Sequence, residues 1–158
     1  MPDITIQRYA SPRHTPAEAL WAEGMAHLVG GDLTPHGRVT LPPANTMAWV
    51  VFVDGLPAAV SLRYIHAAEA EAEGCLTFVR PQYRGLRLYA LVQQRMDADL
   101  LAMGITHIRC VVVDDPLSTR IIAHILRRGG EALGEEMLDG TAGPIKHLKF
   151  RRPLREGV

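Results

Sequence analysis

The sequence predicts an α/β fold built on a mixed, mostly antiparallel sheet. Two observations carry this expectation. In the first half, the apolar runs 47–53 and 56–66 flank Asp54-Gly55. Asp-Gly between two strand-like runs is the strongest short hairpin signal, and hairpin strands run antiparallel. In the second half, strand-like runs at 75–79 and 108–113 are separated by a segment whose apolar residues recur with helical spacing. A strand, a helix and a strand in that order make a parallel, right-handed crossover.

Each element has its own reason. Residues 4–9 alternate as a first strand does. A helix follows from Thr15-Pro16-Ala17-Glu18. Thr15 caps the first amides, Pro16 suits the first helical position, and Glu18 reaches back as the other half of a capping box. Ala17, Leu20, Trp21, Met25 and Leu28 then form one apolar face, which Gly30-Gly31 ends. Residues 32–46 hold four Pro or Gly residues (Pro35, Gly37, Pro42, Pro43) and show no period. They read as a long loop forming one wall of a substrate site, with His36, Arg38 and Asn45 as its candidates. Residues 67–74 read as a second hairpin connection, which would leave Glu71 and Glu73 on a solvated tip.

Beyond the run 75–79 and a turn at 80–85, Leu88, Leu91, Val92, Met96, Leu100 and Met103 mark the inner face of a helix. Gln93, Gln94, Arg95, Asp97 and Asp99 mark the outer face, and Gly104 stops it. The run 108–113 has the pattern of a buried central strand. Asp114-Asp115-Pro116 starts another helix, with Leu117, Ile121, Ile122, Ile125 and Leu126 facing inward and Gly129-Gly130 closing it. Residues 132–138 and 146–150 read as two last strands joined by a Gly/Pro-rich loop, and the tail beyond Pro153 is expected to fray.

The 158 residues suit one domain with a proper core. Formal net charge is zero, which argues against a nucleic-acid partner but leaves room for a small anion held by a few local arginines. Cys75 and Cys110 lie in apolar runs and read as small buried hydrophobes. No basic-then-apolar leader opens the chain, and no apolar run reaches the roughly 18 residues a bilayer demands. A cytoplasmic protein with no membrane partner is the expectation. His66 and His107 are scattered, and no spacing suggests a metal site.

The most informative stretch is Thr77-Phe-Val-Arg-Pro-Gln-Tyr-Arg-Gly-Leu-Arg-Leu-Tyr-Ala-Leu91. A strand feeds a helix N-terminus through a loop carrying Arg84, Gly85 and Arg87. First-turn N–H groups have no intrahelical partner, and the helix dipole favours an anion there. Guanidiniums in the same loop add bidentate contacts to phosphate oxygens.

Taken in order over residues 47–138, three segments resemble the GNAT superfamily of acyl-CoA-dependent N-acyltransferases. They are Val79-Arg-Pro-Gln-Tyr-Arg-Gly85, Val113-Asp-Asp-Pro-Leu-Ser118 and Arg127-Arg-Gly-Gly130. The resemblance implies a GNAT-like sheet with helices on both faces. It implies acetyl-CoA or another acyl-CoA as cosubstrate, and direct attack by a primary amine without a covalent enzyme intermediate. It places Phe78 and Val79 along the pantetheine arm. Arg84, Gly85, Leu86, Arg87, Leu88 and Tyr89 fall at the pyrophosphate, and Asp115 and Ser118 at the opening of the next helix. Glu73 is the carboxylate nearest the family's base position, with Glu71 second. Tyr89 and Ser118 are the candidate acids, ahead of His124.

The chain also departs from that pattern. Arg87 and Tyr89 stand where the loop motif has small residues, Asp115 stands for an asparagine, Ile125 for a tyrosine and Gly130 for a phenylalanine. These departures motivate an alternative, a catalytically degenerate GNAT-fold protein serving as a binding or assembly module. A dinucleotide-type binder is disfavoured, because no Gly-x-Gly-x-x-Gly follows an early strand. Exposed sheet edges near the last strands would suit a homodimer.

Overall fold

The computed structural model describes residues 1–28, 45–114, 116–140 and 143–155. Most of the expected 32–46 loop, with His36 and Arg38, lies outside the described residues, as do Gly30, Gly31 and Asp115 and the side chains of Leu28, Cys75 and Leu117. In chain order the elements are β1 (Ile4–Tyr9), α1 (Pro16–Leu28), β2 (Thr46–Val53), β3 (Leu56–His66) and β4 (Glu71–Val79). Then come α2 (Leu88–Ala102), β5 (His107–Val113), α3 (Thr119–Arg127), β6 (Glu131–Gly140) and β7 (Gly143–Pro153). The strands form one sheet in the order β1-β2-β3-β4-β5-β7-β6. Every neighbouring pair is antiparallel except β4 and β5. This is the mixed sheet with one parallel crossover that the sequence pattern predicts.

Helices cover both faces. On one face α1 buries Ala17, Leu20 and Trp21 against Ala48, Val50, Val60, Leu62, Leu76 and Phe78. The helix sits close: a Cβ at Gly24 would lie 2.9 Å from the Phe78 side chain. On the other face α2 buries Leu88, Val92, Met96 and Leu100 against Trp49, Val51, Ala59, Ala72 and Ile108. Trp49 Nε1 donates to Asp99 at 2.9 Å, a polar peg that fixes α2 over β2. At the β2–β3 turn, Asp54 and Gly55 both take positive φ (50° and 81°), the geometry that suits a tight hairpin.

The start of α1 follows the capping logic with one change of partner. Thr15 Oγ1 accepts from the Ala17 amide at 3.1 Å. The Glu18 carboxylate reaches back to the amide of His14 at 2.8 Å, not to that of Thr15, whose amide is already bonded to the Pro12 carbonyl.

Several expectations need correction. The β3–β4 connection is a hairpin, as expected, but it spans only residues 67–70, and Glu71 already pairs with His66. A short 3-10 turn (Ala67–Glu69) and a left-handed Ala70 hand the chain straight into β4, which begins at Glu71. Glu71 is therefore buried in the sheet. On α2, Leu91 and Met103 are exposed, while Gln93 and Asp97 are buried. The sheet beneath carries Arg63 and Arg152, so the helix turns two polar side chains inward to meet them. On α3, Ile121 and Leu126 are exposed and Ile125 is buried. This helix rests at the end of the sheet on β7, so a single row of side chains suffices. The last two strands run longer than predicted because pairing continues to Gly140↔Gly143 and Glu131↔Arg151. The tail does not fray at once: Leu154 is buried and its amide donates to Thr106 at 2.9 Å.

Candidate active site

The parallel pairing of β4 with β5 is short. It joins Glu71↔His107, Ala72↔Ile108 and Glu73↔Arg109, and it stops there. Past Glu73, β4 stays paired with β3 only, as far as Val79. Its β5-facing backbone groups are thereby released along one wall of a V-shaped opening. The cause is visible in the β3–β4 register. Leu62 pairs with Leu76 and Arg63 with Gly74, so Cys75 is one extra residue on β4. Such a bulge bends its strand and increases local twist. Gly74 sits at the bend, where a Cβ would lie 3.3 Å from the Arg63 guanidinium.

The opened end of β4 leads to the turn at residues 80–87. Phe78 and Val79 are its last residues; the Phe78 side chain packs under α1, which leaves the backbone for recognition. Arg80 anchors the turn. Its amide donates to the Ala58 carbonyl, its Nη1 to the Pro57 carbonyl at 2.8 Å, and its Nε and Nη2 to Glu23 of α1. The sequence reading passed over Arg80; an arginine directly before Pro81 at a strand end was the available signal. Pro81–Tyr83 forms one 3-10 turn, Gly85 takes φ +96°, and α2 begins at Leu88.

Arg87 caps α2 in the left-handed region (φ 58°, ψ 32°) and supplies no side-chain hydrogen bond to the helix. The position that is glycine in the family motif therefore keeps a glycine-like backbone here, with an arginine bearing the strain. The first-turn amides of α2 are left without a side-chain cap. Arg84, Gly85, Leu86 and Arg87 are exposed, Leu88 is buried, and Tyr89 is 48% exposed, so the turn is not filled by its own side chains. Arg87→Gly is expected to raise stability by about 0.5–1 kcal/mol net, strain relief exceeding the added unfolded-state freedom. A urea midpoint measured beside that of the parent chain checks it.

The candidate catalytic residues fall at different places. Glu73 is the last paired residue at the vertex of the V, and its carboxylate meets His66 Nε2 at 3.2 Å. Ser118 is buried in the 3-10 turn between β5 and α3, beyond the far wall of the opening. Tyr89 lies on the outer first turn of α2. The structure thus puts Glu73 at the vertex and Tyr89 at the anion end. Burial, and then Arg128, lower the pKa of His124 below its usual value, which disfavours the protonated form a general acid needs. Ile125, at the family's tyrosine position, belongs to the packed interior. A phenylalanine could not replace Gly130, because even a Cβ there would lie 2.7 Å from the Ile125 carbonyl oxygen.

Beneath α2 lies a buried ionic group that sequence patterning did not show. Asp97 accepts from Arg152 Nη2 at 3.2 and 3.3 Å, with Arg128 Nη1 at 3.9 Å. Arg63 reaches Gln93 at 3.4 Å nearby. The Cys110 thiol sits among these groups, and burial, the largest influence, raises its pKa although Arg63 and Arg152 oppose the shift. It is a poor nucleophile. Among the described residues, no cluster of His, Cys, Asp and Glu could hold a metal ion, and no helix is long and apolar enough to cross a membrane.

Strand order, the bulged and splayed β4, and the helix launched from its end together define the GNAT fold, that of the acyl-CoA-dependent N-acyltransferases. Solved structures with this fold superpose over nearly the whole chain. The ribosomal-protein-S18-alanine N-acetyltransferase from Escherichia coli matches with a TM-score of 0.68 at 13% identity, covering 99% of this chain and 97% of that one. An N-acetyltransferase from Staphylococcus aureus gives 0.67 at 10% identity, covering 97% and 99%. IAA acetyltransferase from Bacillus cereus gives 0.63 at 10% identity, covering 96% and 100%. No protein-family model matches the sequence, and no curated protein matches it.

Proposed function

We propose that this protein transfers an acetyl or short acyl group from acyl-CoA to a primary amine by direct attack. The observation that carries this reading is the early end of β4–β5 pairing at Glu73 and Arg109. It gives an extended arm a strand edge to lie along, with an uncapped helix N-terminus at one end and a carboxylate at the other. The amides of Leu88 and Tyr89, with the Arg84 and Arg87 guanidiniums, suit a pyrophosphate. The β4 backbone at Phe78 and Val79 suits an amide-bearing arm. Bound acyl-CoA supplies the activated thioester. Glu73, directly or through water, would take the proton an ammonium must lose before it attacks. Ser118 is the hydroxyl proposed as donor to the leaving thiolate; Tyr89, at the other end of β4, is proposed for the pyrophosphate instead.

Calorimetric titration with CoA tests the reading. Binding in the micromolar range is expected, and Arg84→Ala is expected to weaken it roughly ten-fold, the worth of one charge-assisted contact. No heat at millimolar CoA would end it.

The second reading, a binding or assembly module on the same fold, is favoured by the buried Ile125 at the family's tyrosine position. It predicts CoA binding without thiol release for any amine. The homodimer would form at β6, the edge strand, where Leu133 and Met137 are exposed.

A further inference from the structure

Arg109 and Arg151 stand beside Glu73 at the vertex of the opening and have no part in the scheme above. Register places Tyr64, Glu73, Arg109, Arg151 and Glu131 in one straight row across β3, β4, β5, β7 and β6. Adjacent members lie about 4.8 Å apart along such a row. The side chains of Glu71, Glu73, Arg109 and Arg151 share the α1 face. Ala72 and Ile108, between or beside them in sequence, point into the α2 core, and strand side chains alternate. Packing of α1 falls further along the strands, on Leu76 and Phe78 of β4, so this row is left polar.

Two guanidiniums on the row, Arg109 and Arg151, share one acceptor. Glu71 takes Nη2 of Arg109 at 2.7 Å and Nε of Arg151 at 2.7 Å. One buried carboxylate thus serves two guanidiniums, and most of their N–H donors are left outside that tie. Arg109 Nε is buried with no acceptor, so Glu71 does not use up this arginine's donors. Both arginines still expose about a third of their side chains (36% and 33%). On the β4 side of the same row, Glu73 is 35% exposed and paired with His66. The vertex therefore carries a carboxylate on one wall and two partly exposed guanidiniums, sharing one acceptor, on the next strands.

We propose that the acceptor amine also bears a carboxylate a few bonds from its nitrogen, as an amino acid does. Its ammonium lies at Glu73 and its carboxylate on Arg109 and Arg151. Guanidiniums present paired donors that match a carboxylate. An amine without the acid group leaves the spare guanidinium donors without an acceptor, and polar sites reject analogues that lack the complementary group far more strongly than apolar sites do. This assignment rests on the acyl-transfer reading but is tested apart from it.

The experiment compares matched pairs, leucine against 3-methylbutylamine and 4-aminobutyrate against propylamine, with acetyl-CoA as donor. The acid-bearing member is expected to have a kcat/KM roughly 10- to 100-fold higher, the worth of one or two charge-assisted bonds. Arg109→Gln and Arg151→Gln should each narrow that ratio, mainly through KM. A wild-type ratio near one overturns the proposal. So do variants that slow both members equally, since that is the behaviour of a purely structural tie to Glu71. If no amine is acylated, calorimetric binding of the same pairs to the protein decides: preference for the acid-bearing member supports the assignment and equal or absent binding overturns it. CoA that fails to bind removes the acyl-transfer reading alone.

Discussion

Asp97→Ala is expected to destabilise the fold by about 3–5 kcal/mol, the cost of leaving a buried charge without its counter-ion. The Asp97 and Arg152 side chains are 6% and 8% exposed, with the carboxylate bonded to that guanidinium and 3.9 Å from Arg128 Nη1. Removing Asp97 strands Arg152 between α2 and the sheet, with Arg63 close by. Replacing both partners tells a different story. Asp97→Leu with Arg152→Met removes the charges together and is expected to recover most of the loss, because an apolar pair of similar volume carries no desolvation penalty. Urea unfolding of the two single variants and the double variant gives the coupling directly. Single variants that unfold at the parent midpoint would show that the pair carries no such weight.

Glu73→Gln is expected to lower kcat by about 10²- to 10⁴-fold, the usual contribution of a positioned general base. CoA affinity should hold, since the substitution is isosteric and the anion-binding turn lies at the other end of β4. Glu71→Gln makes the contrast. Glu71 is buried and held by two arginines, so its loss should appear mainly as lower stability. Unchanged turnover in Glu73→Gln would place the proton acceptor elsewhere.

Much of the architecture was readable from local chemistry. The Asp54-Gly55 hairpin, Pro16 at the first turn of α1, Gly104 after α2 and the apolar run of β5 each act through backbone geometry or burial of neighbouring residues. Errors arose where a partner distant in sequence decided the outcome. Gln93 and Asp97 look like an outer helix face until Arg63 and Arg152, thirty and fifty-five residues away, are brought beneath them. Glu71 looks like a loop residue until Arg109 and Arg151 close on it. The strand, turn and helix over 77–91 were legible because they form a contiguous segment. The arginine row at the vertex was not, because it exists only across β4, β5 and β7. The unusual φ of Arg87 was half legible: the family pattern marked the position for glycine, but not that arginine would take up the same backbone form.

The extra residue at position 75 acts as a wedge driven into one side of the sheet. Taking out that single residue would bring β3 and β4 into unbroken step and straighten the strand. The lower wall could then zip onto its parallel neighbour past position 73. A one-residue deletion is therefore a switch between a chain with a slot through its middle and a closed sheet with none. Every other element could stay as it is, yet the opening proposed to hold the acyl carrier would vanish.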